Sequence, residues 1–163
     1  MLETIFGPAM EAPDAWYQGP ARLVLAMLFG AVAGVEREAS GHFAGLRTYA
    51  MVSLGAAGFA LISTNLFEYM LELAPDSAGH ATRIISAIVG GIGFLGAGAI
   101  IQSGGKVHGL TTAAGLWAIA AAGAAAGLGL VTIALSIAVL CVLVLLANAA
   151  DRAIRGAGEN DKD

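Results

Sequence analysis

Residues 110–147 read LTTAAGLWAIAAAGAAAGLGLVTIALSIAVLCVLVLLA, a stretch without a single charged residue. A helix that crosses a bilayer needs about 20 mostly apolar residues, so this stretch is too long for one span. Gly127 and Gly129 mark a tight turn that divides it. The sequence therefore predicts two consecutive membrane-spanning helices, at about residues 110–127 and 129–147.

Three further apolar segments lie upstream, at about residues 18–37, 48–69 and 83–102. The composition agrees with a membrane protein, because the 163 residues are 58% hydrophobic and only 12% charged. A soluble domain has roughly 25% charged residues. We predict an all-α polytopic transmembrane helical bundle of about five spans. It forms a single membrane domain over residues 1–163, with short tails at 1–17 and 148–163.

The positions of Lys and Arg predict the orientation of this bundle. One side holds the loop between the first two spans, the loop between the third and fourth, and the tail. Its basic residues are Arg37, Arg47, Lys106, Arg152, Arg155 and Lys162. The other side has only Arg22 and Arg83. Because cytoplasmic loops are enriched in basic residues, we predict that the N-terminus lies outside and the C-terminus in the cytoplasm.

Several classes of function are disfavoured by composition. The net charge is −4 and no basic run is present, so we expect no nucleic-acid partner. The single cysteine, Cys141, allows neither an internal disulfide nor a cysteine metal cluster. The three histidines are not spaced like a zinc pair, and no Asp or Glu lies in the middle of a span. We therefore expect no metal site, no cofactor and no catalytic residue.

The 23 glycines lie mostly inside the apolar spans. Gly30 with Gly34, and Gly123 with Gly127, have the small-x-x-x-small spacing that lets helices approach closely in lipid. In the third span one face is formed by Arg83, Ser86, Gly90, Gly93 and Ala97. We predict that this helix is the packed centre of the bundle and that the fifth helix faces lipid. Alternatively, the third helix is broken or re-entrant and its free backbone groups bind an ion.

All charged residues are predicted to lie near helix ends, where they avoid the cost of burial in lipid. Arg22 and Glu36 share one face of the first helix with small residues, so they are expected to face protein. We predict an ion pair between Glu36 and Arg47. For Arg83 the predicted carboxylate partner is Glu68, Glu72 or Asp76. Structural ion pairing is favoured over a role in transport or partner binding.

Residues 104–109 read GGKVHG and are predicted to form a turn. Thr111 or Thr112 is then expected to cap the fourth helix. The alternative is a cytoplasmic mouth lined by Lys106, His108 and the threonine hydroxyl groups.

Four motifs occur in order along the chain: GVERE at 34–38, AGLRT at 44–48, GIGFLGAG at 91–98, and GLTTAA at 109–114 with Trp117. Together they resemble the MgtC/SapB family of bacterial membrane proteins, in a short form without the C-terminal cytoplasmic domain. The resemblance implies a multi-pass inner-membrane protein with a periplasmic N-terminus. It also implies a role in growth at low magnesium and, in pathogens, in virulence.

Two functions follow from the residues and the resemblance. The first is regulation of ion homeostasis and membrane energetics through other membrane proteins, such as ATP synthase or ion-pump subunits; small-residue faces also allow a homodimer. The second is a channel or transporter for an ion such as Mg²⁺ or H⁺. The candidate functional residues are Arg22, Glu36, Arg37, Arg47, Thr48, Arg83, Gly91, Gly93, Gly96, Gly98, Lys106, His108, Thr111 and Thr112.

Overall fold

Five helices make up most of the described part of the chain. A computed structural model describes the backbone of residues 17–73 and 81–159 and the side chains of residues 17–67 and 85–147. The elements are α1 (Gln18–Ala39), α2 (Leu46–Leu73), α3 (Ala81–Ala99), β1 (Ile101–Ser103), β2 (Lys106–His108), α4 (Leu110–Gly127) and α5 (Val131–Glu159). The predicted number and order of helices are confirmed.

Three of these helices are long and apolar enough to cross a bilayer, judged by length and composition over the described residues. Their apolar segments are Gln18–Ala39, Leu46–Phe67 and Leu110–Gly127. Shorter apolar segments, Ile85–Ala99 and Val131–Ala147, occupy α3 and α5. The chain is therefore a helical membrane protein, while the number of spans and the side on which each terminus lies stay predictions.

A β-hairpin follows α3, where only a turn was predicted. The third helix was predicted to continue to residue 102, but α3 ends at Ala99 and residues 101–103 pair antiparallel with 106–108. Gly104 and Gly105 form the two-residue turn between the strands, and both have positive φ, at 58° and 77°. A two-residue hairpin turn with positive φ at both positions has the twist of the strands that it joins. The glycine pair therefore allows the chain to reverse between β1 and β2.

The turn between α4 and α5 has the geometry that the sequence predicted. Leu130 N donates to the carbonyl of Ala125 at 2.8 Å, and Gly129 N donates to that of Ala126 at 3.0 Å. These two bonds, with Gly129 in the left-handed conformation, form a Schellman motif that satisfies the last carbonyl groups of α4. The chain reverses here within three residues, which places α5 against α4.

The centre of the bundle is α4, which contacts all four other helices. It consists largely of Ala and Gly on every face, so each neighbour can approach it closely. A Cβ atom added to Gly123 would overlap the carbonyl of Ser53, and one added to Gly127 would overlap that of Ala57. Gly30 of α1 meets the backbone of Tyr49 in the same way. Both predicted small-residue pairs are therefore helix contacts.

The prediction that α3 forms the packed centre is wrong, because its glycine face points outward. A Cβ atom on Gly90, Gly91 or Gly93 would meet no atom within 4 Å. The inward face instead carries Ile88 and Ile92, which pack against small residues of α2 and α4. The two isoleucines make van der Waals contacts with these alanines, and such contacts hold helices together in lipid. The helix is continuous over Ala81–Ala99, so the broken-helix alternative is also wrong.

One face of α5 remains outside the bundle, as predicted. Its exposed residues are large and apolar: Ile133, Leu135, Val139, Leu140, Leu143, Val144 and Leu146. The opposite face buries Ala134, Ala138 and Leu145. This pattern is suited to a helix with lipid on one side.

Replacing Gly123 by Ala should destabilise the bundle, because the added methyl group has no room beside the Ser53 carbonyl. Overpacking of this kind costs about 1–3 kcal/mol. Gly93→Ala is the matched control, since its new methyl group enters open space and alanine is the better helix former. Thermal unfolding in detergent measures both. Equal losses of stability in the two variants would contradict this packing scheme.

Candidate functional site at the Arg37 end of the bundle

Arg37 lies in the last turn of α1 and is fully buried, with a relative exposure of 0%. Its Nε donates to Oε2 of the neighbouring Glu36, and the two form an ion pair. Nη1 donates to Nε2 of His42 at 3.3 Å, and Nη2 donates to the carbonyl of Leu145 in α5 at 3.5 Å. A buried charge is tolerated only when it is paired and hydrogen-bonded, and all three guanidinium nitrogens are used here.

The carboxylate of Glu36 has a second donor, because its Oε1 accepts from the hydroxyl of Ser40 at 2.9 Å. The predicted Glu36–Arg47 pair is therefore wrong. Arg47 is exposed at the start of α2 and can be solvated, whereas the buried guanidinium of Arg37 requires a carboxylate.

His42 folds back onto Arg37 from the loop between α1 and α2. Its Nδ1 donates to the carbonyl of Arg37 at 3.3 Å, while its Nε2 accepts from the guanidinium. This arrangement corresponds to a neutral imidazole with its proton on Nδ1. His42 was not among the predicted functional residues. The available signal was its spacing of five residues after Arg37 across Gly41, whose φ of 71° turns the chain back.

Tyr49 connects α2 to α4 beside this cluster. It is completely buried, and its hydroxyl donates to the carbonyl of Thr112 at 3.4 Å. A Cβ atom on Gly115 would meet the same hydroxyl, so that glycine makes room for the tyrosine. One turn further along α2, Ser53 donates to the carbonyl of Ala26 at 2.7 Å. Both polar side chains therefore tie α2 to a neighbouring helix, and neither was among the predicted site residues.

A cavity of about 570 Å³, which we call the hairpin cavity, opens at this end of the bundle. It lies between the α1–α2 loop, the end of α3, the hairpin and the first residues of α4. Among its lining residues are His42, Phe43, His108, Thr111 and Thr112. His108, Thr111 and Thr112 line this cavity, as the alternative prediction of a mouth requires, but Lys106 does not. The cytoplasmic position of such a mouth stays a prediction.

The threonines do not cap α4, so that prediction is wrong. The N-cap is Gly109, whose φ of 87° is left-handed and which offers no side-chain acceptor. Thr111 and Thr112 belong to the first turn of the helix itself, and Thr112 is 7% exposed. The hairpin ends at His108, directly before Gly109, and this fixes where the helix begins.

A second buried cation occupies the other end of α1. Arg22 is 3% exposed and donates to Oε1 of Gln18 at 3.3 Å and to the carbonyl of Gly127 at 3.5 Å. Ala26 and Ala33, on the same face, are completely buried. The prediction that this face of α1 points toward protein is therefore confirmed.

The other candidate residues lie apart from the Arg37 cluster. Arg47, Thr48 and Lys106 are exposed. Gly91, Gly93 and Gly98 lie on the open part of α3, while Gly96 is 3.7 Å from Ala113 of α4, measured from an added Cβ atom. The side chain of Arg83 and those of its predicted partners, Glu68, Glu72 and Asp76, lie outside the described residues. Over the described side chains, no group of three or more His, Cys, Asp or Glu could hold a metal ion.

Comparison with known proteins finds the MgtC family over residues 23–151, which include the Arg37 cluster. Protein MgtC of Salmonella typhimurium LT2 is 47% identical over 132 residues, covering 80% of this chain and 53% of that protein. The putative magnesium transporter YhiD of Escherichia coli K12 is 41% identical over 103 residues, covering 63% of this chain and 47% of YhiD. The chain thus spans about half the length of the curated relatives it matches. No solved structure matches it.

Arg37→Ala should destabilise the protein by about 3 kcal/mol or more, since it leaves the nearly buried carboxylate of Glu36 without its cation. Arg47→Ala, which removes an exposed arginine at the same end, should change stability by about 0.5 kcal/mol or less. Unfolding in detergent gives both values.

A double-mutant cycle isolates the pair. Glu36→Gln combined with Arg37→Ala should lose less stability than the sum of the single changes, because neither then leaves a lone charge. Strict additivity would contradict the assigned pair.

Proposed function

Because this chain belongs to the MgtC family, we propose that it is a multi-pass inner-membrane protein of magnesium-related ion homeostasis that acts by binding other membrane proteins. The names of its relatives, Protein MgtC and a putative magnesium transporter, support the link to magnesium. The proposed topology has five spans, with the N-terminus in the periplasm and the C-terminus in the cytoplasm, on the basis of the Lys and Arg distribution.

The observation that carries the proposal is the open glycine face of α3. Helices in lipid associate where small residues allow backbones to approach, and no described residue packs against Gly90, Gly91 or Gly93. An apolar groove of about 700 Å³ between α2 and α3 lies beside it, and Gly91 and Leu95 are among its lining residues. A transmembrane helix of a partner protein has both the surface and the space to pack here.

The alternative, that the chain itself carries an ion, has less support. A path for a cation or proton through one chain would need polar groups along its centre. Over the described side chains, every charged residue lies toward the ends of the bundle, where Arg22 and Arg37 are already bonded. Between them on α1 are Ala26, Gly30 and Ala33, all buried, and Gly30 is in contact with the backbone of α2.

Gly93→Leu should abolish function without unfolding the protein. The leucine projects from the open face of α3 and would block a partner helix. In a deletion strain, this variant should fail to restore growth at low magnesium while its expression and unfolding temperature remain those of the parent. Ser136→Leu, on the exposed face of α5, is the matched control and should restore growth. Full complementation by Gly93→Leu would contradict a partner site on α3.

Flux into liposomes separates the two functions. The purified chain should produce no flux of Mg²⁺ or H⁺ above that of empty vesicles. Protein-dependent flux that Gly93→Leu abolishes would favour a transporter over a regulator.

Reporter fusions test the topology. Fusions after Gly105 and after Arg155 should both report a cytoplasmic position, because five spans place the hairpin and the C-terminal tail on the same side. A fusion at the N-terminus should report the periplasm. A periplasmic signal after Gly105 or Arg155 would exclude the five-span arrangement.

A further inference from the structure

The hairpin cavity contains the N-terminus of α4, an 18-residue helix with no side-chain cap. The first amide groups of a helix have no partner within it, and they carry a partial positive charge from the helix dipole. Gly109, Leu110, Thr111 and Thr112 all line the cavity. The start of α4 therefore presents hydrogen-bond donors to whatever occupies this space.

Thr112 gives a second, independent indication of a ligand. Its side chain is more than nine-tenths buried, yet it lines the cavity. The hydrogen bond that it makes uses its backbone carbonyl, which accepts from Tyr49. No described residue bonds its hydroxyl group. The hydroxyl group is accessible from the cavity, where a molecule that enters can bond it.

The charges at this end favour an anion as that partner. The carboxylate of Glu36 is occupied by Arg37 and Ser40, and that of Glu38 accepts from the backbone amide of Leu46 at 3.0 Å. Both ring nitrogens of His42 are engaged by Arg37. The groups left to meet a ligand are then the amide groups of α4, the hydroxyl of Thr112 and the imidazole of His108, with Lys106 nearby in the hairpin. All of these can donate a hydrogen bond.

The rim of the cavity is apolar, which indicates where the anion comes from. Phe43 is fully exposed, and Ile101, Val107 and Leu110 are each about half exposed. These side chains surround a polar site at the level where the apolar segments of α1, α3 and α4 begin or end. A molecule with a charged head and an apolar body matches this surface, and a phospholipid has that form.

We propose that the hairpin cavity binds a phosphate group, that of a phospholipid headgroup, through Thr112, His108 and the first amide groups of α4. The phosphate oxygens accept from these donors, while the apolar rim contacts the glycerol and the start of the acyl chains. The site is separate from the glycine face of α3 and does not depend on partner binding there.

The test measures binding of three probes to the full chain in an uncharged detergent free of phosphate. The probes are dihexanoyl phosphatidylglycerol, inorganic phosphate and dihexanoylglycerol, which lacks the phosphate. The phospholipid should bind, and dihexanoylglycerol should not. Thr112→Val and His108→Ala should each raise the Kd of the phospholipid about tenfold, the effect of losing one hydrogen bond to a charged group. Thr132→Val, the same change on the exposed face of α5, should leave it unaltered.

Three outcomes would overturn the proposal. Equal binding of dihexanoylglycerol would show that the cavity recognises only apolar surface. Phospholipid binding that is indifferent to both Thr112→Val and His108→Ala, with each variant folded by its unfolding temperature, would place the lipid elsewhere. Binding of inorganic phosphate alone, weakened by the same two variants, would keep the phosphate site and exclude the lipid headgroup as its source.

Discussion

The close approach of α2 to α1 and α4 is the constraint on which the rest of this bundle depends. Apolar side chains gain nothing by leaving lipid for another apolar helix, so association requires dense packing and bonds between helices. Tyr49, Ser53 and Ala57 form one row on α2 at helical spacing. The backbone of this row meets Gly30, Gly123 and Gly127, and the side chains of Tyr49 and Ser53 donate to α4 and α1. This one row of α2 thus supplies both the dense packing and the hydrogen bonds between helices.

This packing explains where the charged residues lie. A centre in which backbones touch has no space for an arginine or its counter-ion, so both buried arginines lie toward the ends of α1. Arg37 ties that helix to its own loop and to α5, and Arg22 ties it to the end of α4. In the described part of the chain, the polar chemistry is therefore concentrated at the two ends, and the middle is structural.

Much of the fold was accessible from the sequence, because it depends on local signals. The helices follow from the length of apolar segments, the α4–α5 turn from two glycines, and the α1–α2 and α2–α4 contacts from glycine spacing. The orientation of α3 was not accessible. Periodicity identifies its glycine face, but in lipid either a small or a bulky face can be buried, and here Ile88 and Ile92 pack inward.

The Arg37 cluster was predicted only in part, since charge spacing cannot distinguish Arg47 from Arg37 as the partner of Glu36. The Tyr49–Thr112 bond joins residues 63 positions apart, which no local pattern reports.

The contact between Arg22 and the carbonyl of Gly127 has an electrical consequence for α4. That carbonyl is at the C-terminus of the helix, where the aligned peptide groups produce a partial negative charge, and a cation from another helix lies against it. A fixed positive charge thus opposes the dipole of α4 at its C-terminus, whereas at its N-terminus, beside Gly109, no described side chain caps the helix. In a medium of low dielectric constant, the partial positive charge at the N-terminus of α4 then acts more strongly on nearby charges than it would in water. Arg22 thus supplies the counter-charge for the C-terminus of α4, and a counter-charge for its N-terminus would have to come from the surroundings.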